Sequence, residues 1–150
     1  MAHESDAALE RLEPLIGRWK TAGTTTDAAG VAVDRIDALD TYERLPGGAL
    51  LHLVDARVGE QKVEGAEIIG HDPASESYLT QYFGSDGPNA YEARLEEDDG
   101  VLVWSMRSKT DRFTGTFNDA RNVIIGHWDA LDDDSNWQPW MYITLTKQAS

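Results

Sequence analysis

Four histidines are the residues of this chain whose side chains exchange protons or bind metals near neutral pH. His52 is the most informative, because it falls on an otherwise apolar face of a predicted strand. That face consists of Leu50, His52, Val54, Ala56 and Val58. Burial there lowers a histidine pKa below about 6.5 unless a carboxylate lies close. His52 is a general base, a ligand anchor, an axial metal ligand or a hydrogen-bonded core histidine, and the sequence leaves these alternatives open.

His127 is the second candidate acid–base group, since it stands two residues before Asp129. On a strand this spacing puts the imidazole and the carboxylate on one face, where the carboxylate tunes the imidazole. His71 lies in a Gly-His-Asp-Pro segment and is interpreted as a turn residue, and His3 lies in a polar tail. The acidic run at 132–134 lacks the ligand spacing of a calcium loop, so no metal site is predicted.

Turn signals divide the chain at regular intervals and indicate the elements that position these side chains. Nine breaks, from the one at 27–30 to the one at 132–135, separate about ten short strands between residues 17 and 147. The connections are too short for crossover helices, so neighbouring strands pair antiparallel, and closure removes the exposed edges of so large a sheet. The sequence predicts an all-β, antiparallel up-and-down meander barrel of about ten strands. One short helix at about residues 6–13 precedes it and ends at Pro14, and residues 1–150 form one domain.

Alternation along the strands predicts which side chains face the barrel interior. The inner faces are rich in aromatic and methionine side chains, which we expect to line a ligand cavity with His52 and Tyr42 as polar anchors. The predicted wall residues are Tyr91, Trp104, Met106, Phe113, Phe117 and Met141. The facing of the strands at 76–84 and 121–130 stays open, as does that of the fourth strand, where Ala66 and Ile68 compete with Gly65, Glu67 and Ile69. A solid core is the alternative, because aromatic and methionine side chains also fill cores.

The balance of charges excludes several classes of partner. The 150 residues carry a formal net charge of −14, and such a surface repels phosphate backbones and anionic lipid. Neither nucleic acid nor a membrane is an expected partner, and a monomer or homodimer is expected. The chain has no cysteine, which agrees with a cytoplasmic location. The polar start at 1–6 precedes no apolar run of a secretory signal.

The segment Gly17-Arg18-Trp19 resembles the motif that opens the first strand of lipocalins and fatty-acid-binding proteins, which belong to the calycin superfamily. The resemblance implies that Gly17 permits a close turn and that Trp19 plugs the barrel floor beneath Lys147, as a cation–π pair. Further segments are similar to bacterial lipocalin-like domains of unknown function related to the nitrobindins. These segments are Leu12 to Trp19, Gly70 to Pro73, Arg112 to Phe117 and Trp137 to Lys147.

Nitrobindins bind haem through a histidine on a late strand. The final predicted strand, at 137–147, contains no histidine. The resemblance therefore does not imply that this chain binds haem. The expected function is the binding of a small, largely hydrophobic ligand inside the barrel. Three alternatives remain: an isomerase- or cyclase-type enzyme using His52 or His127, a haem-binding protein, and a solid-core module that acts by self-association.

Overall fold

The computed structural model describes residues 4–85 and 87–149. A short helix, α1 (Glu4–Glu10), leads through one 3₁₀ turn (Glu13–Leu15) into a continuous series of strands. The strands are β1 (Gly17–Thr26), β2 (Ala32–Arg44), β3 (Leu50–Val58), β4 (Gln61–Asp72), β5 (Ser77–Gly84), β6 (Asn89–Asp98), β7 (Val101–Arg107), β8 (Asp111–Phe117), β9 (Val123–Leu131) and β10 (Trp137–Lys147). Within the described ranges, the helical segments are too short to cross a membrane.

The ten strands close into one barrel, in which each strand pairs antiparallel with its neighbours in sequence. β1 completes the circle, because it pairs with β2 on one side and with β10 on the other. Short connections enforce this order. β3 and β4, for example, are joined only by Gly59 and Glu60, and Gly59 has the positive φ of 62° that such a tight reversal uses. The predicted antiparallel meander barrel with one short helix is confirmed.

The helix lies earlier in the chain than the sequence predicted. We expected it at about residues 6–13, whereas α1 occupies Glu4–Glu10 and the chain then tightens into the 3₁₀ turn. Pro14 lies within the first two positions of that turn. Proline is tolerated there because those N–H groups have no partner inside the helical turn, whereas in the middle of an α-helix it would break a hydrogen bond.

Exposure settles the facing of the three strands that alternation left open. Leu79 on β5, Phe83 on β5 and Ile125 on β9 are each more than half exposed, so they point outward, and Ile68 on β4 is 41% exposed. The opposite residues of the same strands face the interior. These are Tyr78, Thr80 and Tyr82 on β5, Ile124, Gly126 and Trp128 on β9, and Gly65, Glu67 and Ile69 on β4.

Trp19 lies at one end of the barrel, where its side chain is fully buried. Its indole N–H donates to the Leu15 carbonyl at 2.8 Å, and Lys147 Nζ lies 4.9 Å from the centre of its ring. The same lysine donates to the Pro14 carbonyl at 3.2 Å. Gly17 has a φ of 138°, where L side chains are strained, and a Cβ there would lie 3.4 Å from Lys147 Cε. These contacts are compatible with the floor that the resemblance implied, and the role of Trp19 as its plug stays a prediction.

Candidate ligand-binding site

Above this floor the barrel encloses a cavity of about 390 Å³. All ten strands contribute to its wall, and most of the lining is aliphatic or aromatic. The volume falls within the range of about 300–1,000 Å³ that is usual for small-molecule pockets. The interior therefore contains an open space, whereas the end that holds Trp19 is filled by buried side chains.

Seven of the eight residues that the sequence predicted as ligand contacts line this cavity. They are Tyr42, His52, Tyr91, Trp104, Met106, Phe113 and Met141. The eighth, Phe117, faces inward but lies at the plugged end, where its ring meets Trp19 edge-on with centroids 6.2 Å apart. Strand alternation predicts only whether a side chain points into or out of the barrel. Its height along the barrel axis depends on how the strands are staggered. Contact of the seven residues with a ligand stays a prediction.

His52 lies between two carboxylates on the cavity wall. Its Nε2 is 2.7 Å from Asp40 Oδ1 on β2, and its Nδ1 is 2.9 Å from Glu67 Oε1 on β4. A carboxylate oxygen accepts hydrogen bonds, so an imidazole that bonds one through each nitrogen is doubly protonated. All three side chains are nearly buried. The arrangement is a buried imidazolium with two carboxylate partners.

Two threonines hydrogen-bond the second oxygen of each carboxylate, the one that does not bond His52. Thr21 on β1 donates to Asp40 Oδ2 at 2.5 Å, and Thr80 on β5 donates to Glu67 Oε2 at 2.8 Å. Each carboxylate oxygen thus accepts one hydrogen bond from protein. We call the five side chains Thr21, Asp40, His52, Glu67 and Thr80 the polar wall, since they join five consecutive strands across the cavity.

The polar wall reverses the pKa shift expected for His52. Burial lowers the pKa of its imidazole, but the hydrogen bonds to Asp40 and Glu67, together with their negative charges, raise it to about 9. A fall below the ordinary value was expected only without a nearby carboxylate, and here both flanking strands supply one. His52 is charged at neutral pH.

Tyr42 covers one face of the His52 ring. The two rings are stacked with centroids 4.1 Å apart and planes within 5° of parallel, as expected for residues directly opposite on β2 and β3. Burial raises the pKa of Tyr42 well above its usual value, and the charges of Asp40 and Glu67 raise it further. The phenol therefore keeps its proton and offers a neutral donor beside the polar wall.

Solved structures with the same architecture identify the fold. The crystal structure of Rv2717c from M. tuberculosis superposes with a TM-score of 0.75 at 10% identity, covering 95% of this chain and 98% of that one. The fold is a lipocalin-like barrel. The S-type phycobiliprotein lyase CPES from Guillardia theta shares it with a TM-score of 0.63 at 9% identity, covering 99% of both chains. No protein-family model and no curated protein sequence matches this chain, so these likenesses show the fold alone.

The other histidines lie away from the cavity. His127 is on the outer face of β9 beside Asp129, with His127 Nε2 3.5 Å from Asp129 Oδ2. The pair shares a face as expected, but the inward residues of this strand are Ile124, Gly126 and Trp128, so His127 is wrong as a cavity acid–base group. His71 is not in a turn but near the end of β4, where its ring lies 5.7 Å from that of Tyr78. His3 lies outside the described residues.

The sequence did not single out the other members of the polar wall as site residues. Asp40 shares its strand face with Tyr42, so the predicted facing of Tyr42 also implied an inward Asp40. Glu67 pairs directly with His52, and this partner follows from the two-residue connection at Gly59 and Glu60. The Asp40 signal is alternation within β2, whereas the Glu67 signal depends on the pairing of β3 with β4, which alternation within one strand does not reveal.

Proposed function

We propose that the protein binds a small, largely apolar molecule in the barrel cavity, with the polar wall and Tyr42 orienting it. The cavity itself carries this proposal, because its volume and mostly apolar lining match a small-molecule site with a few convergent polar groups. The fold likeness to a phycobiliprotein lyase agrees with a barrel that handles a ligand and leaves its identity open.

Two unpartnered donors add to this proposal. The indole N–H groups of Trp104 and Trp140 are buried and have no acceptor among the described residues, and both tryptophans contribute to the cavity lining. A buried N–H normally has a partner in protein, water or ligand. An oxygen atom of a bound molecule, or an ordered water beside it, would satisfy them.

The enzyme alternative receives less support from the geometry. A general base needs a free lone pair, and both nitrogens of His52 point at carboxylates instead. His52 could accept no proton in this state. With His127 outside the barrel, the described residues provide no histidine base that faces the cavity.

The haem alternative does not fit the residues present. An axial histidine needs one nitrogen free for iron, whereas both His52 nitrogens bond carboxylates. Acidic groups on a ligand would also need cationic partners, and the described lining residues include no lysine or arginine. We derive no function through haem.

Binding of a neutral naphthalene alcohol, naphthylmethanol, followed by calorimetry, tests the proposal. Ala56 lines the cavity and is buried, so Ala56→Phe should fill the space and weaken binding at least about tenfold. Such overpacking costs roughly 1–3 kcal/mol of folding stability, which a urea titration would measure alongside.

The matched control is Ala66→Phe, which adds the same ring on the outer face of β4, opposite Leu53 and Phe83. We expect this variant to bind as the unmodified protein does. Failure of the unmodified protein to bind, or equal binding by Ala56→Phe, would remove the cavity from consideration as a binding site.

A further inference from the structure

The ionised side chains that line the cavity are mostly acidic. Three carboxylates line it, those of Asp40, Glu67 and Asp111, and His52 contributes the single positive charge. Among the described lining residues there is no lysine or arginine. Opposite charges are the usual partners of buried ionised groups, and the described lining has fewer cations than carboxylates, so its net charge is negative.

The polar wall alone carries one uncompensated negative charge. Asp40 and Glu67 contribute one each and the doubly protonated His52 removes one. Each carboxylate oxygen also retains acceptor capacity, because it has two lone pairs and accepts one hydrogen bond from the wall. The wall can therefore accept further hydrogen bonds from a donor inside the cavity.

Asp111 adds a second negative charge at the opposite side of the cavity, where β8 begins. Its side chain accepts a long hydrogen bond from Thr110, at 3.3 Å. Within the ranges that the structure describes, no basic side chain forms an ion pair with its carboxylate.

Aromatic faces complete the lining. Seven aromatic side chains other than His52 surround the space, namely Tyr42, Tyr82, Tyr91, Trp104, Phe113, Trp128 and Trp140. The face of an aromatic ring attracts a cation, most strongly when water is excluded. Carboxylates and aromatic faces together are the chemistry that recognises an organic cation.

The connections at the end of the barrel where β8 begins are acidic as well. These are residues 27–31, 59–60, 85–88, 108–110 and 132–136. Their described residues include five acids, Asp27, Glu60, Asp132, Asp133 and Asp134, against one base, Lys109. A rim of one sign raises the local concentration of ligands of the opposite sign.

We propose that the ligand of the cavity is a hydrophobic amine, an apolar molecule with one protonated nitrogen that hydrogen-bonds the polar wall and is attracted by the negative charge of Asp111. This inference rests on the proposed function, since it names the chemical class of molecule that the same cavity takes. A carboxylate of equal size would meet two uncompensated negative charges, and the one cation of the described lining, His52, already bonds Asp40 and Glu67.

Three naphthalene compounds of matched size test this charge preference by calorimetry: naphthylmethylamine, naphthylmethanol and naphthoate. We expect the amine to bind at least about tenfold more tightly than the alcohol, because hydrogen bonds to charged groups exceed neutral ones by that factor. Naphthoate should bind more weakly than the alcohol. Equal affinities for the amine and the alcohol would overturn the amine proposal but not the proposal that the cavity binds an apolar molecule. If none of the three compounds binds, both proposals are overturned.

Two variants separate the cavity from the acidic surface, because a net charge of −14 attracts any cation. Asp111→Asn should lower the affinity for the amine several-fold and leave the alcohol unchanged. Glu96→Gln makes the same charge change on the exposed outer face of β6 and should change neither. Equal effects of the two variants on the amine would assign the preference to the surface and overturn the proposal. Neither substitution touches the polar wall, so both variants are expected to fold.

Discussion

His52 keeps two protons because each of its nitrogens faces a carboxylate that a threonine holds in place. Burying these three ionised groups costs desolvation free energy, and the mutual hydrogen bonds offset it only while all partners are present. Removing the imidazole alone would leave Asp40 and Glu67 facing each other without compensation. His52 lines the cavity and is also hydrogen-bonded to protein, so the sequence alternatives of a cavity histidine and a core histidine do not exclude each other.

The raised pKa of His52 predicts a specific dependence of stability on pH. The pKa is about 9 in the folded protein and about 6.5 in an unfolded chain. The contribution of the imidazolium to the free energy of unfolding is therefore fully present below pH 6.5 and is lost as pH rises to about 9. Its size is on the order of 3 kcal/mol. Urea unfolding between pH 6 and pH 10, with the imidazole signals followed by NMR, measures both quantities.

A neutral polar wall provides the control for that titration. The triple variant Asp40→Asn, His52→Gln and Glu67→Gln keeps the volume and the hydrogen-bonding groups but removes the titrating network. Its unfolding free energy should lack the loss between pH 6.5 and pH 9. The same pH dependence in both proteins, or an imidazole that loses its proton below pH 7, would contradict the assignment.

At the scale of strands, Trp19 and the two-residue connection at 59–60 determine where the site lies. Trp19 closes one end of the barrel, so the cavity exists only above it. The short connection pairs Val58 with Gln61, and the same register continues down the strands to pair His52 with Glu67. A connection one residue longer would turn Glu67 to the other face.

Strand patterns predicted the inner faces well where one face is charged, as on β6 with Ala93 and Leu95 inside and Arg94 outside. They failed on β4, β5 and β9 because both faces carry apolar residues, and Ile68, Leu79 and Ile125 are exposed in the folded protein. Glu67 shared that ambiguity. The polar wall could be found only by combining facing with register, and a carboxylate by itself ordinarily indicates an outward face.

Replacing the floor residue tests the strand-level account. Trp19→Ala removes a fully buried indole, its hydrogen bond to Leu15 and its contact with Lys147, so it should lower the free energy of unfolding by about 3–5 kcal/mol. Trp137→Ala is the control, since Trp137 also lies under a cation, Arg112 at 4.3 Å, but is only half-buried. We expect it to cost clearly less in the same urea titration. Similar costs for both would mean that Trp19 is not the plug.

On the scale of the whole molecule, closure into ten strands is what leaves a cavity. A barrel this wide encloses more space than its own side chains fill, and here the surplus is about 390 Å³. Turn spacing predicted the number of strands and their closure, because each connection is short and contains a turn-forming residue such as glycine, proline, serine, aspartate or asparagine. It could not predict the volume of the cavity, because that volume depends on the height along the barrel axis at which each inward side chain lies. Phe117, for example, points inward but packs against Trp19 at the plugged end.

The two cavity methionines allow the most direct measurement of the central claim, that a ligand is held inside the barrel. Met106 on β7 and Met141 on β10 line the cavity from different strands, and their labelled methyl groups give separate NMR signals, assignable through Met106→Leu and Met141→Leu. Titration with naphthylmethylamine should shift both signals along one saturable curve, with little change in Ala56→Phe. Signals that stay fixed, or that drift without saturating, would show that the molecule does not enter the barrel and would contradict the account.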